Sequence, residues 1–388
     1  MSVSDPGAAR PRLLVFAGEG GVGKTTLAAA TALKASLSGL RVAVMTIDPA
    51  PRLADALGLE RLDDEPLPVD TGEPGPGNSG SLHALRLDSR GTFDRMVDRL
   101  ADDNTTADNT TADNTTAERI KANPIYQAVA ASTGSSGPYM AFQRLHELAE
   151  SKLWDLIVVD TPPALHAEEL LSAPSRLAAL LETRAVALLV DPARAAAGRG
   201  SRLARATATV VLGLVERVTG AALLGQVSSF VTDFARMMEN MVERSRDVET
   251  LLATPPSCFV LVSRASAASA YATLALREEL LDRGFAVAPI VANGLTPRPA
   301  TAARGSKIDL PADAPPGCTQ LLERVNAELD LLCQGEAELT ARIEDSTHAA
   351  VLRVEHLAVE AGSLEDLALL GAGLPALDDL LAAAVRGE

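Results

Sequence analysis

Eight consecutive residues, Gly18-Glu19-Gly20-Gly21-Val22-Gly23-Lys24-Thr25, constrain this chain more than any other stretch. They follow a strand-like run, Arg12 to Ala17, and open a helical pattern, Thr26 to Leu37. Strand, glycine-rich loop and helix in that order form the setting in which the Walker A pattern cradles phosphate. The glycines let successive backbone N–H groups converge on phosphate oxygens, and the helix N-terminus adds partial positive charge. In that setting Lys24 reaches the β- and γ-phosphates and the Thr25 hydroxyl coordinates Mg²⁺. Basic residues are nearly all arginine, and lysine occurs only at 24, 34, 121, 152 and 307, so a lysine at the motif position carries information.

Around this loop, apolar runs of strand length alternate with longer helical patterns: Leu13 to Ala17, Val42 to Ile47, Leu82 to Leu87, Leu156 to Val159, Phe259 to Val262 and Val287 to Ala292. Their hydrophobicity is continuous rather than alternating, which indicates strands buried on both faces of a parallel sheet. The expected fold is α/β: a doubly wound, mostly parallel sheet with an inserted helical subdomain. We expect one P-loop domain over residues 12–388, with the helical subdomain at about 91–135 and 192–252. Residues 61–81, rich in Asp, Glu, Pro and Gly, and 101–117, which hold the tandem repeat Ala107 to Thr111 and Ala112 to Thr116, read as mobile loops. The Pro- and Ala-rich stretch Pro297 to Pro316 reads as a linker to a helix beginning near Cys318.

Two acids complete the candidate site. Asp48 ends the second strand and opens Asp48-Pro49-Ala50-Pro51-Arg52-Leu53. Ligands of open α/β sheets sit at the carboxyl ends of strands, so a carboxylate there can orient an attacking water. An Asp-Pro pair is also a common helix start, and that reading stands beside the first. Asp160 closes Leu156-Ile157-Val158-Val159-Asp160, four apolar residues and an acid, the Walker B arrangement that binds Mg²⁺ through water. Strands also end in Asp as a turn former, but its order after the glycine-rich loop favours the metal.

Composition removes several function classes. A formal net charge of −16 would repel a phosphodiester backbone, so nucleic acid is not an expected partner. No apolar run reaches the roughly 18 to 20 residues of a membrane span, and the polar start Met1 to Pro6 lacks a secretory plan. We therefore expect a cytoplasmic protein without stable membrane insertion. Cys258, Cys318 and Cys333 show no paired spacing and read as small buried hydrophobes.

Gly18 to Thr26, Asp48 to Leu57 and Asp160 to Pro174 resemble the deviant Walker A, switch I and switch II segments of the ArsA-type anion-transporting ATPases. The Asp160-Thr161-Pro162-Pro163 form of switch II, with Asn123 to Tyr126 and Tyr139 to Ala141, is similar to a bacterial branch of that family. The resemblance implies a SIMIBI-like P-loop fold, ATP or ADP with Mg²⁺ as cofactors, and hydrolysis that drives a conformational change in a dimer. It implies that Lys24 and Asp48 are catalytic and that Gly18, Glu19, Gly20, Gly21, Val22, Gly23, Lys24, Thr25 and Thr26 hold nucleotide. It also implies that Thr25 and Asp160 serve Mg²⁺ and that Asn293 recognises adenine, although an Asn before Gly294 is also an ordinary turn. Leu357 to Ser363 aligns with a loop over the base.

Two departures stand out. Glu19 occupies the place of the family's signature lysine, and Ser263-Arg264-Ala265-Ser266 lacks the family's acids after the strand. The expectations are therefore a homodimer, or a heterodimer with a lysine-bearing ArsA-type paralogue in which this chain is a weakly hydrolysing scaffold. Phe230, Phe234, Met237, Met238 and Met241 form a helical stripe that either packs internally or holds a hydrophobic protein client. A positioning ATPase sharing the P-loop would need a basic surface or terminal amphipathic helix, which Ser363 to Glu388 does not supply.

Overall fold

A computed structural model describes residues 10–72, 80–96, 98, 137–162, 240–297, 315, 317–356, 362–375 and 379–380. The chain divides into two compact units, each assembled from separate stretches. The first comprises residues 1–87, 148–167 and 250–388, and the second residues 88–147 and 168–249.

The first unit is built on eight strands: β1 (Arg12–Gly18), β2 (Arg41–Thr46), β3 (Leu67–Pro68), β4 (Ser81–Arg86), β5 (Leu156–Asp160), β6 (Cys258–Arg264), β7 (Ile290–Leu295) and β8 (Val351–Glu355). They form one sheet in the order β3-β4-β2-β5-β1-β6-β7-β8. Every pairing is parallel except that of β3 with β4. Parallel neighbours need crossovers, and helix α1 (Lys24–Leu37) provides the one from β1 to β2. All five residues of β5 are buried, as an interior strand covered on both faces requires. This is the α/β, mostly parallel sheet of a P-loop NTPase.

Side-chain alternation divides the sheet's two faces. Leu14 and Phe16 of β1 and Leu156 and Val158 of β5 join one apolar cluster with Leu27 and Ala28 of α1. Helix α2 (Arg52–Ala56) adds Leu53 and Ala54 to it, and a C-terminal helix (Leu364–Gly373) adds Leu367 and Leu370. Each large side chain buried there contributes about 1.5–3 kcal/mol. Helix α3 (Gly137–Glu150) ends just before β5. Helices α4 (Ala267–Asp282), α5 (Cys318–Thr347) and α6 (the Leu364–Gly373 helix) complete the labelled elements. The helix expected near Cys318 starts there.

Among its described residues the second unit is helical at 89–96, at 137–147 within α3 and at 240–249. Phe93, Met96, Phe142, Leu145, Met241 and Val248 are buried. Gln143 Nε2 donates to the Met241 carbonyl at 3.0 Å, and the buried Arg144 and Glu147 pair at 2.7 Å. Met241 is therefore an internal residue, whereas Phe230, Phe234, Met237 and Met238 lie outside the described residues, as does 101–117. Within 61–81 the chain adds the edge strand β3 to β4, and 73–79 is not described. No helix among the described residues is long and apolar enough to cross a membrane.

Candidate functional site

The site forms where β1 stops. Gly18 ends that strand so close to β6 that a Cβ on it would stand 2.3 Å from the Val262 carbonyl oxygen. Gly23 takes a left-handed φ of 94° and precedes α1, whose N-terminus has neither a side-chain cap nor an acid in its first turn. Those first N–H groups are thus left for an anion rather than for the protein's own carboxylates.

Lys24 begins α1 and is only 7% exposed. Its ammonium folds back over the loop, donating to the carbonyls of Gly18 at 3.0 Å and Glu19 at 2.7 Å. Burial lowers its pKa, and the carboxylates of Asp160, Asp48 and Glu19 oppose that shift. The hydrogen-bond acceptors of this ammonium are neutral carbonyls rather than carboxylates, so phosphate oxygens can take their place.

Parallel register brings Asp160 beside Phe16 of β1 and Thr46 of β2. There, Oδ2 accepts hydrogen bonds from the hydroxyls of Thr25 at 2.8 Å and Thr46 at 2.9 Å. Oδ1 is buried and has no hydrogen-bond partner among the described residues. Burial pushes this carboxyl up to about 6, against the two hydroxyls and Lys24, which pull it down. An orphaned carboxylate oxygen next to a threonine hydroxyl is a hard-oxygen pair that fits Mg²⁺. Among the described residues no trio of His, Cys, Asp and Glu makes a closed cage.

Asp48 follows β2. Its Oδ1 accepts from the Ala50 N–H at 3.0 Å, and its Oδ2 lies 3.4 Å from Arg52 Nη1. Helix α2 is capped at Pro51, so Asp48 does not cap it. Asn293 Nδ2 donates to the Val22 carbonyl at 2.8 Å, which lays the amide over Gly23. The pairing register of β7 with β8 shifts just after this residue, between Asn293 and Leu295.

Gly21, Gly23, Lys24, Thr25, Thr26, Asp48 and Asn293 all line one cleft of ≈ 530 Å³. That volume is within the ordinary range for small-molecule sites. Gly18 and Glu19 enter through the carbonyls that hold Lys24, and Asp160 lies beneath Thr25. Residues 163–174 of switch II and the loop at 357–361 lie outside the described residues.

Sequence reasoning missed four participants. Thr46 and Thr161 act through position: the Thr161 hydroxyl donates to the Phe16 carbonyl at 2.7 Å, fixing the strand end after Asp160. Arg264 Nη2 donates to the Gly21 carbonyl at 3.3 Å, and Arg52 lines the cleft beside Asp48. Only Arg264 had a signal, being a base where the family pattern has an acid.

Comparison with known proteins bears on the family. An uncharacterized protein of Streptomyces coelicolor is 34% identical over 186 residues, 48% of this chain and 42% of its own length. A Mycobacterium tuberculosis protein is 29% identical over 253 residues, 62% of this chain and 53% of its own length. The chain thus spans about half the length of these two curated relatives. A protein of Aquifex aeolicus, provisionally named arsenical pump-driving ATPase 1, is 45% identical over 65 residues, 16% of each chain. The family model described as anion-transporting ATPase matches residues 11–306, from the start of β1 past the end of β7. With the loop, its lysine and the two acids all inside that span, the chain belongs to the ArsA family of anion-transporting ATPases.

Proposed function

We propose that this chain binds Mg-ATP at the carboxyl end of β1 and hydrolyses it, the loss of the γ-phosphate driving a conformational change in a dimer. The observation that carries the reading is the convergence of Thr25 and Thr46 on Asp160 beneath the Lys24 ammonium. Lys24 turns from the Gly18 and Glu19 carbonyls to phosphate oxygens. Thr25 and Asp160 are the residues that would hold Mg²⁺. Asp48, steadied by the Ala50 N–H, orients the water that attacks the γ-phosphorus. Bound Mg²⁺ supplies neutralisation of charge on the transferred phosphoryl group. Asn293 meets the adenine edge from its place over the loop.

A second reading is favoured by Glu19, whose carboxylate acts on Lys24 at the loop's mouth. In it, this chain is a nucleotide-binding scaffold with weak turnover, paired with an ArsA-type paralogue that supplies the missing lysine. A hydrophobic protein client remains part of either reading, nucleic acid of neither, and the cytoplasm is the compartment proposed.

Calorimetry with Mg-ADP and Mg-ATP, followed by steady-state phosphate release, tests both. Binding plus turnover that Lys24→Ala lowers by about 10²-fold or more supports the ATPase. Tight binding without turnover supports the scaffold, and absence of any binding refutes both.

A further inference from the structure

Three acids, Glu19, Asp48 and Asp160, act on the single ammonium of the cleft. A triphosphate entering that field is repelled by these carboxylates, and a further cation in the cleft would offset the repulsion. Two arginines line the same cleft, Arg52 and Arg264, and their attachments differ. Arg264 is tied to the loop itself through the Gly21 carbonyl and belongs to the wall formed by β6 and β7. Arg52 stands on the opposite wall, at the first residue of α2, and its charge reaches Lys24.

Arg52 is poorly explained as a structural residue. Its side chain is 62% exposed, and its contact with Asp48 Oδ2 is long, at 3.4 Å, so the tether is weak. The partner at that tether is the carboxylate assigned to the attacking water.

We propose that Arg52 is the sensor of the terminal phosphate: it leaves Asp48 when a nucleoside triphosphate fills the cleft and stays on Asp48 when a diphosphate does. The inference rests on the Mg-ATP reading above and adds to it a residue that distinguishes the two nucleotides. A guanidinium fork pairs with phosphate oxygens by two parallel hydrogen bonds, a stronger arrangement than one long contact to a carboxylate. Its departure frees Asp48 Oδ2 for water only when there is a bond to cleave. Arg52 thereby supplies within one chain the charge that Glu19 withholds.

The test compares equilibrium affinities for Mg-ADP and for an imido-bridged, non-hydrolysable Mg-ATP analogue in wild type, Arg52→Ala and Arg52→Lys. Arg52→Ala is expected to weaken the analogue roughly 10- to 100-fold and Mg-ADP less than about twofold. Arg52→Lys should recover part of the loss, since it restores the charge without the fork. Mg-ADP binding by each variant serves as its check of folding. Equal weakening of both nucleotides, or no change in either, overturns the sensor while leaving the Mg-ATP reading intact. A wild type that binds neither nucleotide overturns that reading, and the sensor with it.

Discussion

Asp160 carries a structural penalty beside the Mg²⁺-side role proposed for it, and pH separates them. Its folded pKa of about 6 lies above the ordinary carboxyl value of 3.8. Between these values the folded state retains a proton that the unfolded chain releases, so stability falls as pH rises through that window. Above about 6 the penalty is complete. Asp160→Asn is therefore expected to stabilise the nucleotide-free protein by about 1–3 kcal/mol at pH 8 and by less at pH 5. Urea titrations at both values check this. The wild type should also lose Mg²⁺-dependent nucleotide affinity below about pH 6, as Asp160 takes up its proton. At Gly23, a Cβ would stand 2.1 Å from Asn293 Nδ2. Gly23→Ala should cost about 1–3 kcal/mol in stability, and Asn293→Ala should relieve part of that cost in a double-mutant cycle. The loop residues were legible because their chemistry is contiguous in sequence. Arg52 was not, because the value of a surface arginine depends on which strand ends the fold sets beside it.

Among elements, the interior strands were readable from continuous apolar runs, and their ends moved by only a residue or two. The exception is the last of them, where Val287 makes a single bridge to Phe259 and β7 itself starts at Ile290. Strand β8 escaped because it is a sheet edge: Val351 and Val354 are buried, while Arg353 and Glu355 face outward and break the pattern. Strand β3, two residues long, offers no periodicity at all. Helix starts carry a clearer code. Ser266 and Ser363 accept hydrogen bonds from Ser269 N–H and Asp366 N–H, capping α4 and α6. Replacing either serine by alanine should lower unfolding free energy by about 1 kcal/mol, measured by urea denaturation. The Ser363 change has a second reading, because α6 contributes Leu367 and Leu370 to the cluster under α1.

For the whole molecule, the sheet order explains why residues far apart in sequence share one site. The loop follows β1, Asp160 ends β5, Asp48 follows β2 and Asn293 lies on β7. Composition and motif order foretold a parallel sheet but not this order, which is set by crossovers that no local pattern records. A ligand seen only by the folded state raises stability by mass action. Mg-ADP at 100 times its dissociation constant should add about 2.7 kcal/mol to the nucleotide-binding unit, seen as a higher thermal midpoint, and Lys24→Ala should abolish the shift. The bond from Thr25 to Asp160 spans 135 positions of chain. Contacts of such separation close slowly, because the intervening polymer must first be gathered in. The candidate phosphate cradle is therefore expected to be completed late in folding: during synthesis, a nascent polypeptide that has emerged only as far as Thr46 owns the complete glycine loop yet lacks the carboxylate to which Thr25 and Thr46 bond.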